Sequence, residues 1–246
     1  MQTLWNTFFY EPIYNALIFI INNITMGDVG FGIILLTIVV KFILFPLTKK
    51  SIKSQILMKR IEPELKKIKK DFPDKQEQAK KTFELYKKYG ANPFSGCLVV
   101  LLQLPVIFAL YYVFYQGLSL DAGPLYNFIK NPEIFHTNFL GLVEMHSKSI
   151  VLALFAGVTQ FIQGYLASPI KPKTEIVKEI NKNEPKTFQE QMSDSMQMNI
   201  KYVLPVFITF IAYSISAAVA LYWITSNIFT IVQEWYIRRS FTDKAI

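Results

Sequence analysis

Cysteine and histidine are almost absent from this sequence, and their scarcity excludes several kinds of site. Cys97 is the only cysteine, so no disulfide can form within the chain. His136 and His146, the only histidines, stand ten positions apart, which is not the spacing of paired zinc ligands. The HExxH, GxSxG and glycine-rich phosphate-binding motifs are missing as well. We therefore expect neither an enzyme nor a protein that holds a metal or another cofactor.

Charged residues are missing from several long stretches, although the chain as a whole is basic. Hydrophobic residues make up 52% of the sequence and aromatic residues 15%, and the net charge is +8. A soluble domain of this size is rarely so apolar. Because the first basic residue is Lys41, no basic segment precedes the first apolar stretch, and we expect no cleavable signal peptide. The pattern predicts an all-α protein that crosses a membrane several times.

Five apolar segments predict five transmembrane helices. They cover about 29–48, 94–116, 149–168, 200–213 and 217–237. Pro46 is expected near the end of the first span, and residues 213–218 predict a tight turn between the last two. No internal repeat is evident, whereas many small-solute transporters are built from inverted repeats.

Residues 1–26 are aromatic and apolar but too interrupted to span a bilayer. Only about nine apolar residues separate Glu11–Pro12 from Asn22–Asn23. Aromatic side chains such as Trp5 and Phe8 are typical of the headgroup boundary. The segment therefore predicts an interfacial amphipathic helix, with a short tilted span as the alternative.

Residues 49–92 hold thirteen lysines and one arginine against six acidic residues, so they are too charged to enter lipid. Apolar residues recur at helical spacing in both halves, which predicts a hairpin of two amphipathic helices. Pro63 is expected to begin a new helical segment. The residues expected to pack between the two helices are Ile61, Leu65, Phe83 and Tyr86.

The distribution of lysine and arginine also predicts the topology, because basic loops stay in the cytoplasm. Residues 117–148 hold only two lysines against three acidic residues, in contrast to the basic 49–92 hairpin. The hairpin, the 170–198 loop and the 240–246 tail are therefore placed in the cytoplasm, and the N-terminus outside.

Lys41 lies inside the first predicted span, where a cation costs about 2.5–3.5 kcal/mol. On a continuous helix it is about 12 Å from Lys49, so its ammonium group is not expected to reach the membrane surface completely. Thr37, Lys41 and Thr48 are expected on one face of that helix. Something in the protein must offset the cost of burying this charge.

Polar residues recur inside four of the five predicted spans, and two interpretations remain open. They are either interhelical hydrogen bonds, worth about 0.6 kcal/mol each, or the lining of a shared hydrophilic cavity around Lys41. No acidic residue of the other spans stands at a clearly matching depth for Lys41. The last span carries a polar stripe at helical spacing, made of Trp223, Ser226, Asn227, Thr230 and Glu234.

Four segments of the chain follow one another in the order and spacing of a known family. They are GFGIILLTIVVKFILFPLTKKSIKS, NPFSGCLVVLLQLPVIFALYYVF, GVTQFIQGYLASP and LPVFITFIAYSISAAVALYWITSNIFTIVQEWYIRR. Together they cover roughly residues 26–239 and resemble the YidC/Oxa/Alb family of membrane protein insertases. The resemblance implies that residues 27–239 form a core of five helices around a hydrophilic groove, which opens to the cytoplasm and to lipid.

The resemblance also implies which residues line the groove. Those that match the family's groove positions, or continue the stripe of the last span, are Thr37, Gln103, Gln163, Trp223, Ser226 and Asn227. The family usually has arginine where this chain has Lys41, so the charge is kept but the planar, multi-donor fork is not. In the family, the turn between the last two spans often contains the sequence Pro-Ser-Gly. In this chain the sequence Ser-Ile-Ser-Ala stands there instead, at residues 214–217.

The function implied by the resemblance is the insertion and folding of integral membrane proteins in the bacterial plasma membrane. The expected partners are nascent membrane proteins and the lipid bilayer; the ribosome and the Sec translocon are left open, and DNA is not expected. Many relatives carry a further N-terminal span and a large outer domain, so this chain is expected to be a minimal version. The alternative from another class is a channel or carrier for ions or small solutes.

The hairpin is expected to meet an anionic surface, either lipid headgroups or ribosomal RNA. A simpler alternative is that its charges only reflect the positive-inside rule. The basic residues expected to make these contacts are Lys59, Arg60, Lys66, Lys67, Lys69 and Lys70.

Overall fold

The computed structural model describes residues 2–92, 95–115, 125–130, 135–167 and 198–242. The helical elements are α1 (Gln2–Trp5), the π-helical turn π1 (Asn6–Tyr10), α2 (Glu11–Asn23), α3 (Val29–Ile43), α4 (Phe45–Asp71), α5 (Lys75–Tyr89), α6 (Ser95–Tyr115), α7 (Ile150–Ala167), the π-helical turn π2 (Asn199–Val203), α8 (Leu204–Ser214) and α9 (Ala217–Thr242). The mainly helical fold is thus confirmed. Nearly all of the predicted 170–198 loop and the end of the predicted tail lie outside the described residues.

The chain forms two compact units. Residues 1–38 and 109–231 make up the first unit, and residues 39–108 and 232–246 make up the second. Helices α3, α6 and α9 each contribute residues to both units. The hairpin belongs entirely to the second unit, whereas α2, α7 and α8 belong to the first.

The first predicted span is not a single helix, which corrects the sequence-based prediction. Helices α3 and α4 are bent by 63° at a break around Leu44. Pro46 lies in the first turn of α4, where its fixed φ and its missing N–H are tolerated. Thr48 therefore belongs to α4 and does not share the helical face of Thr37 and Lys41. The separation of about 12 Å, which assumed a continuous helix, does not apply.

The number of membrane spans, predicted as five, remains a prediction, because the helices of the structure do not establish it. In the part of the chain that the structure describes, no single helix is both long and apolar enough to cross a bilayer. The bent pair Val29–Ile43 and Phe45–Met58 meets both criteria together. Shorter apolar helical stretches are found at Gln103–Tyr115, Ile150–Leu166 and Lys201–Ser214.

Helix α2 packs inside the first unit. Leu17 and Ile21 are completely buried, and Asn15 is 1% exposed. The backbone N–H of Tyr126 donates to Asn15 Oδ1 at 2.8 Å, which ties α2 to a segment more than a hundred residues away. In contrast, Phe8 in π1 is exposed, as the prediction of an interfacial segment requires. Contact of residues 1–26 with a membrane surface stays a prediction.

A short two-stranded sheet, which the sequence did not predict, precedes α7. Strands β1 (Asn138–Phe139) and β2 (Val143–Glu144) are antiparallel. The residues that follow bind the start of α9: Ala217 N–H donates to Ser147 O at 2.8 Å, and Ala218 N–H donates to Met145 O at 3.1 Å. These carbonyls satisfy N–H groups that have no acceptor within the first turn of a helix. Residues 145–147 therefore anchor the start of α9.

The predicted hairpin is present, but one of its core residues was assigned incorrectly. Ile61 and Leu85 are buried, and Leu65 and Tyr86 pack partly buried against them. Phe83, which the sequence placed in this core, is 73% exposed. Phe83 and Leu85 are two positions apart, about 200° around a helix, so only one of them can face α4.

The ends of the hairpin helices follow simple local rules, except at Pro63. Pro63 does not begin a new helix; it lies inside α4, because burial of the flanking apolar residues overrides the local preference. The Asp74 carboxylate caps the start of α5, and Gly90 ends it with φ +64°, a conformation that favours glycine. Ser54 Oγ donates to Asn92 O at 3.0 Å and accepts from Asn92 N–H at 2.6 Å, which closes the base of the hairpin.

Helices α7 and α8 approach each other closely in the first unit. A Cβ atom at Gly157 would collide with Thr209 Oγ1 and would lie 3.3 Å from Pro205 O. Ala153 and Ala156 on the same helix are completely buried, so α7 uses small residues at its interface. Helix α8 ends at Ser214 and α9 begins at Ala217, which agrees with the predicted turn.

Candidate functional site

The first three residues of the polar stripe on the last helix are buried in the first unit. Trp223, Ser226 and Asn227 stand at helical spacing on α9 and are 6%, 1% and 3% exposed. Thr230, one turn further along, donates its hydroxyl to the backbone carbonyl of Ser226 at 2.8 Å. Apolar residues would fill these positions at lower cost, so their polarity calls for a structural or functional explanation.

Helix α7 supplies the partner of this stripe. Asn227 Nδ2 donates to Thr159 Oγ1 at 3.2 Å, and the Thr159 hydroxyl donates to backbone carbonyls of its own helix at 2.9 and 3.0 Å. Gln160 Nε2 donates to Gln163 Oε1 at 3.0 Å on the same helix. Two of the polar residues predicted for the groove, Asn227 and Gln163, are therefore joined to polar neighbours. Thr159 and Gln160 on α7 complete these pairs.

Thr37 is the contribution of α3 to the buried polar residues of the first unit. It is 1% exposed, and its hydroxyl donates to Ile33 O at 2.6 Å. This bond within the helix satisfies the donor locally, as is common for threonine in apolar helices. Because the hydroxyl is the donor here, this bond uses none of the acceptor capacity of the Thr37 oxygen.

The second unit contains the other two predicted groove residues. Lys41, one helical turn after Thr37, is 8% exposed and is not free of partners. Gln103 on α6 is partly buried. Lys41 is therefore buried and takes part in an interaction within the protein.

Gln233 is a buried polar residue that sequence reasoning missed. It is 5% exposed, and its Oε1 and Nε2 atoms have no hydrogen-bond partner among the described residues. It stands three positions after Thr230 and seven after Ser226, so the helical period of the stripe was the signal that could have identified it. Glu234, which the sequence did include, is buried and bonds Arg238 at 3.3 Å.

The basic residues of the hairpin are mainly at its surface. Arg60 and Lys67 are exposed, and Lys66 forms an exposed pair with Glu62 at 3.2 Å. Such a pair is worth little in water and is easily exchanged for another anion. The side chains of Lys59, Lys69 and Lys70 lie outside the described residues. The described residues Arg60, Lys66 and Lys67 are thus accessible to an anionic surface.

The buried polar side chains of each unit are suited to hydrogen bonding. Threonine, serine, asparagine and glutamine side chains supply neutral donors and acceptors, and Lys41 supplies a cation. The described residues contain no group of three or more histidine, cysteine, aspartate or glutamate side chains that could hold a metal ion. Uncharged polar side chains of this kind can hydrogen-bond water or the polar groups of a polypeptide.

Comparison with known proteins identifies the family. Residues 20–244 match the family model described as 60Kd inner membrane protein. The chain is 34% identical to the membrane protein insertase YidC of Campylobacter jejuni over 98% of its own length and 39% of that relative. It is 32% identical to the YidC of Fusobacterium nucleatum over 95% of its length and 98% of that relative. The chain spans about two fifths of the length of the first curated relatives it matches.

The fold is also similar to a solved structure, described as an active YidC insertase crystal structure with the first transmembrane domain resolved. The TM-score is 0.57 at 20% sequence identity, over 91% of this chain and 45% of the other. This similarity concerns the fold alone, whereas the family model and the sequence identities establish descent. On these grounds the chain belongs to the 60Kd inner membrane protein family, the family of the bacterial membrane protein insertases named YidC.

Proposed function

We propose that this chain inserts and folds other membrane proteins in the bacterial inner membrane, without hydrolysing nucleotides itself. The observation that carries the proposal is the set of buried polar residues on α7 and α9, in a chain whose curated relatives are named insertases. Buried polar groups are costly in a membrane and usually mark a functional path or an interhelical contact. The proposed partners are nascent membrane proteins and lipid, with the ribosome and the Sec translocon as further candidates.

In the proposed mechanism, a hydrophilic groove lowers the barrier to moving a polar tail across lipid. Thr37, Gln103, Gln163 and the α9 stripe offer hydrogen bonds that replace those lost from water. The substrate's hydrophobic segment then moves into lipid, and the burial of apolar surface, about 0.8 kcal/mol per CH₂ group, drives its release. Lys41 attracts acidic tails over a short range in a poorly screened site.

The hairpin is proposed as the element that receives substrates on the cytoplasmic side. Its accessible basic residues suit anionic lipid or phosphate groups, each lysine near a membrane surface contributing about 1 kcal/mol. Residues 1–26 are proposed to rest at the outer membrane surface, which the exposed Leu4 and Phe8 favour. This arrangement places the hairpin and the C-terminus in the cytoplasm and the N-terminus outside.

The test is insertion of a single-span substrate with a short polar tail into liposomes that contain the purified chain. We expect insertion by the wild type and a clear loss in Asn227→Leu, which keeps the volume but removes the amide. Ile228→Leu is the matched control, because the neighbouring Ile228 is exposed and should tolerate the change.

Thermal unfolding of the same variants separates the two interpretations of Asn227. If the amide only joins α9 to Thr159, the loss of insertion should follow the loss of stability and be shared by Thr159→Val. If it serves the groove, Asn227→Leu should insert poorly even where it stays folded. Failure of wild-type liposomes to insert any substrate, together with ion leakage, would favour a channel and contradict the proposal.

A further inference from the structure

A lysine held by two tyrosine rings lies where the end of α7 meets π2. Lys201 Nζ is 4.4 Å from the centre of the Tyr165 ring and 5.3 Å from that of Tyr202, both within the range of cation–π contacts. Phe161 extends the aromatic surface, with its ring centre 6.4 Å from Tyr165 and 6.1 Å from Tyr202. Lys201 and Tyr202 belong to π2, and π-helical turns are rare and often occur at functional sites. The ammonium group is therefore fixed in position by rings from two elements.

Among the described residues, no carboxylate forms an ion pair with Lys201. Lys201 is the only charged residue in residues 150–167 and 198–214, which comprise α7, π2 and α8. Its contacts with the rest of the described chain are with the two aromatic rings. Because a cation–π contact leaves the net charge in place, the group retains its attraction for an anion.

An apolar surface adjoins this cation. Side chains on the outward faces of α7 and α8 are exposed although they are apolar; near the cluster they are Val158, Ile162, Val203, Val206 and Phe207. The close packing at Gly157 holds the two helices together, so their exposed faces form neighbouring parts of one surface. In a membrane protein, exposed apolar side chains of this kind lie against acyl chains.

We propose that Lys201, Tyr165 and Tyr202 bind the phosphate of an anionic phospholipid whose acyl chains lie along α7 and α8. The ammonium group supplies the charge, and the phenol hydroxyls are available donors for phosphate oxygens. A cation, then tyrosines, then an apolar surface is the order in which a phospholipid presents its phosphate, its glycerol region and its chains. A free phosphate ion would leave the apolar surface unused. The site concerns lipid and does not depend on the proposed insertion activity.

The test uses the full chain in neutral detergent, titrated with phosphatidylglycerol or phosphatidylcholine, with bound lipid counted by native mass spectrometry. We expect phosphatidylglycerol to bind the wild type more tightly than phosphatidylcholine. Lys201→Gln should weaken phosphatidylglycerol about fivefold, the effect of losing one lysine contact near a membrane surface. Lys201→Arg should bind within about twofold of the wild type, because a guanidinium keeps both the charge and the stacking on tyrosine.

Lys148 provides the matched control, since it is an exposed lysine beside the other end of α7. Lys148→Gln should bind phosphatidylglycerol as the wild type does. Equal loss in both glutamine variants would show a general effect of net charge and overturn the site. Wild-type affinity of Lys201→Gln, or competition by inorganic phosphate at the same concentration as the lipid, would overturn it as well.

Discussion

Lys41 is a cation that the structure buries almost completely in a helix of otherwise apolar character. It is 8% exposed and has an interaction partner, so its cost is offset at least in part within the protein. A substitution at Lys41 removes both this interaction and the buried charge, so the stability of a Lys41 variant does not separate a structural role from a functional one. Comparing two substrates in one variant avoids this difficulty, because both meet the same folded protein.

We expect Lys41→Leu to reduce insertion of a substrate with an acidic tail by on the order of fivefold, the value of one lysine contact. A neutral tail should be affected less, and Lys41→Arg should retain activity because the charge is kept. Lys41→Glu should be worst for the acidic tail, since like charges repel strongly where screening is weak. The measurement is the ratio of the two insertion yields. A ratio unchanged in Lys41→Leu would contradict the electrostatic role.

Glu144, an acidic residue of strand β2, accepts hydrogen bonds that stabilise its charged form. Burial raises the pKa of its carboxyl, but hydrogen bonds from Thr137 at 3.0 Å and His146 at 3.4 Å outweigh this, so the pKa is lowered from its ordinary value of 4.5. The charged form is therefore favoured in the folded state. Glu144 directly precedes residues 145–147, which anchor the start of α9.

Because the folded pKa of Glu144 is depressed, its contribution to stability is present above the ordinary value and is lost as the pH falls through the folded value. We expect the protein to lose thermal stability on acidification below about pH 4.5, and Glu144→Gln to lose less. The measurement is the midpoint of thermal unfolding between neutral pH and pH 3 for both proteins. If the unfolding midpoint fell equally with pH in both proteins, Glu144 would not be the cause of the acid sensitivity.

At the scale of elements, the hairpin is a small structure with its own core. Ile61, Leu85 and Ala91 are buried, and Tyr89 Oη donates to Glu64 at 2.6 Å from one helix to the other. That hydrogen bond raises the pKa of the Tyr89 hydroxyl above 10.0. Few buried residues support this element, so we expect its amides to exchange faster than those of α7.

Mutation can show whether Leu85 or Phe83 is the core residue of α5. Leu85→Ala should cost about 2–5 kcal/mol in the free energy of hairpin opening, the usual cost of truncating a buried leucine. Phe83→Ala, at an exposed position on the same helix, should cost less than about 0.5 kcal/mol. Hydrogen exchange of the α5 amides measures both. A larger effect of Phe83→Ala would restore the assignment that the sequence suggested.

At the scale of the whole molecule, membership of a family of inner membrane proteins places the chain in the bacterial inner membrane. It does not establish which side of the membrane each loop faces. The proposed topology follows from fourteen basic residues in 49–92 against two in 117–148. In the structure, the residues at which the two segments can be probed, Lys75 and Asn127, both lie outside the apolar helices.

Single cysteines at these two positions, in a Cys97→Ser background, should react with an impermeant thiol reagent from opposite sides of the membrane. Lys75→Cys should be labelled from the cytoplasmic side and Asn127→Cys from the outer side. The measurement uses intact cells and inverted vesicles, with each variant serving as the control for the other. Labelling of both positions from the same side would overturn the five-span topology.

Features that depend on composition, residue spacing and descent could be predicted without the fold. Apolar runs and basic loops predicted a mainly helical membrane protein, and four motifs predicted the family that the comparisons confirm. The period of the last span also predicted that Ser226 and Asn227 would share a face, and both are buried. Each of these features can be inferred from residues that are close in the chain.

Features that depend on contacts between residues far apart in the chain could be known only from the fold. A proline can start a helix or lie within one, so packing placed Pro46 at a break and Pro63 inside α4. Phe83 and Leu85 are both apolar, and only contact with α4 distinguished the buried one from the exposed one. Lys201 is unremarkable in the sequence, because the tyrosine that holds it on α7 stands thirty-six positions away and only the fold brings the two together.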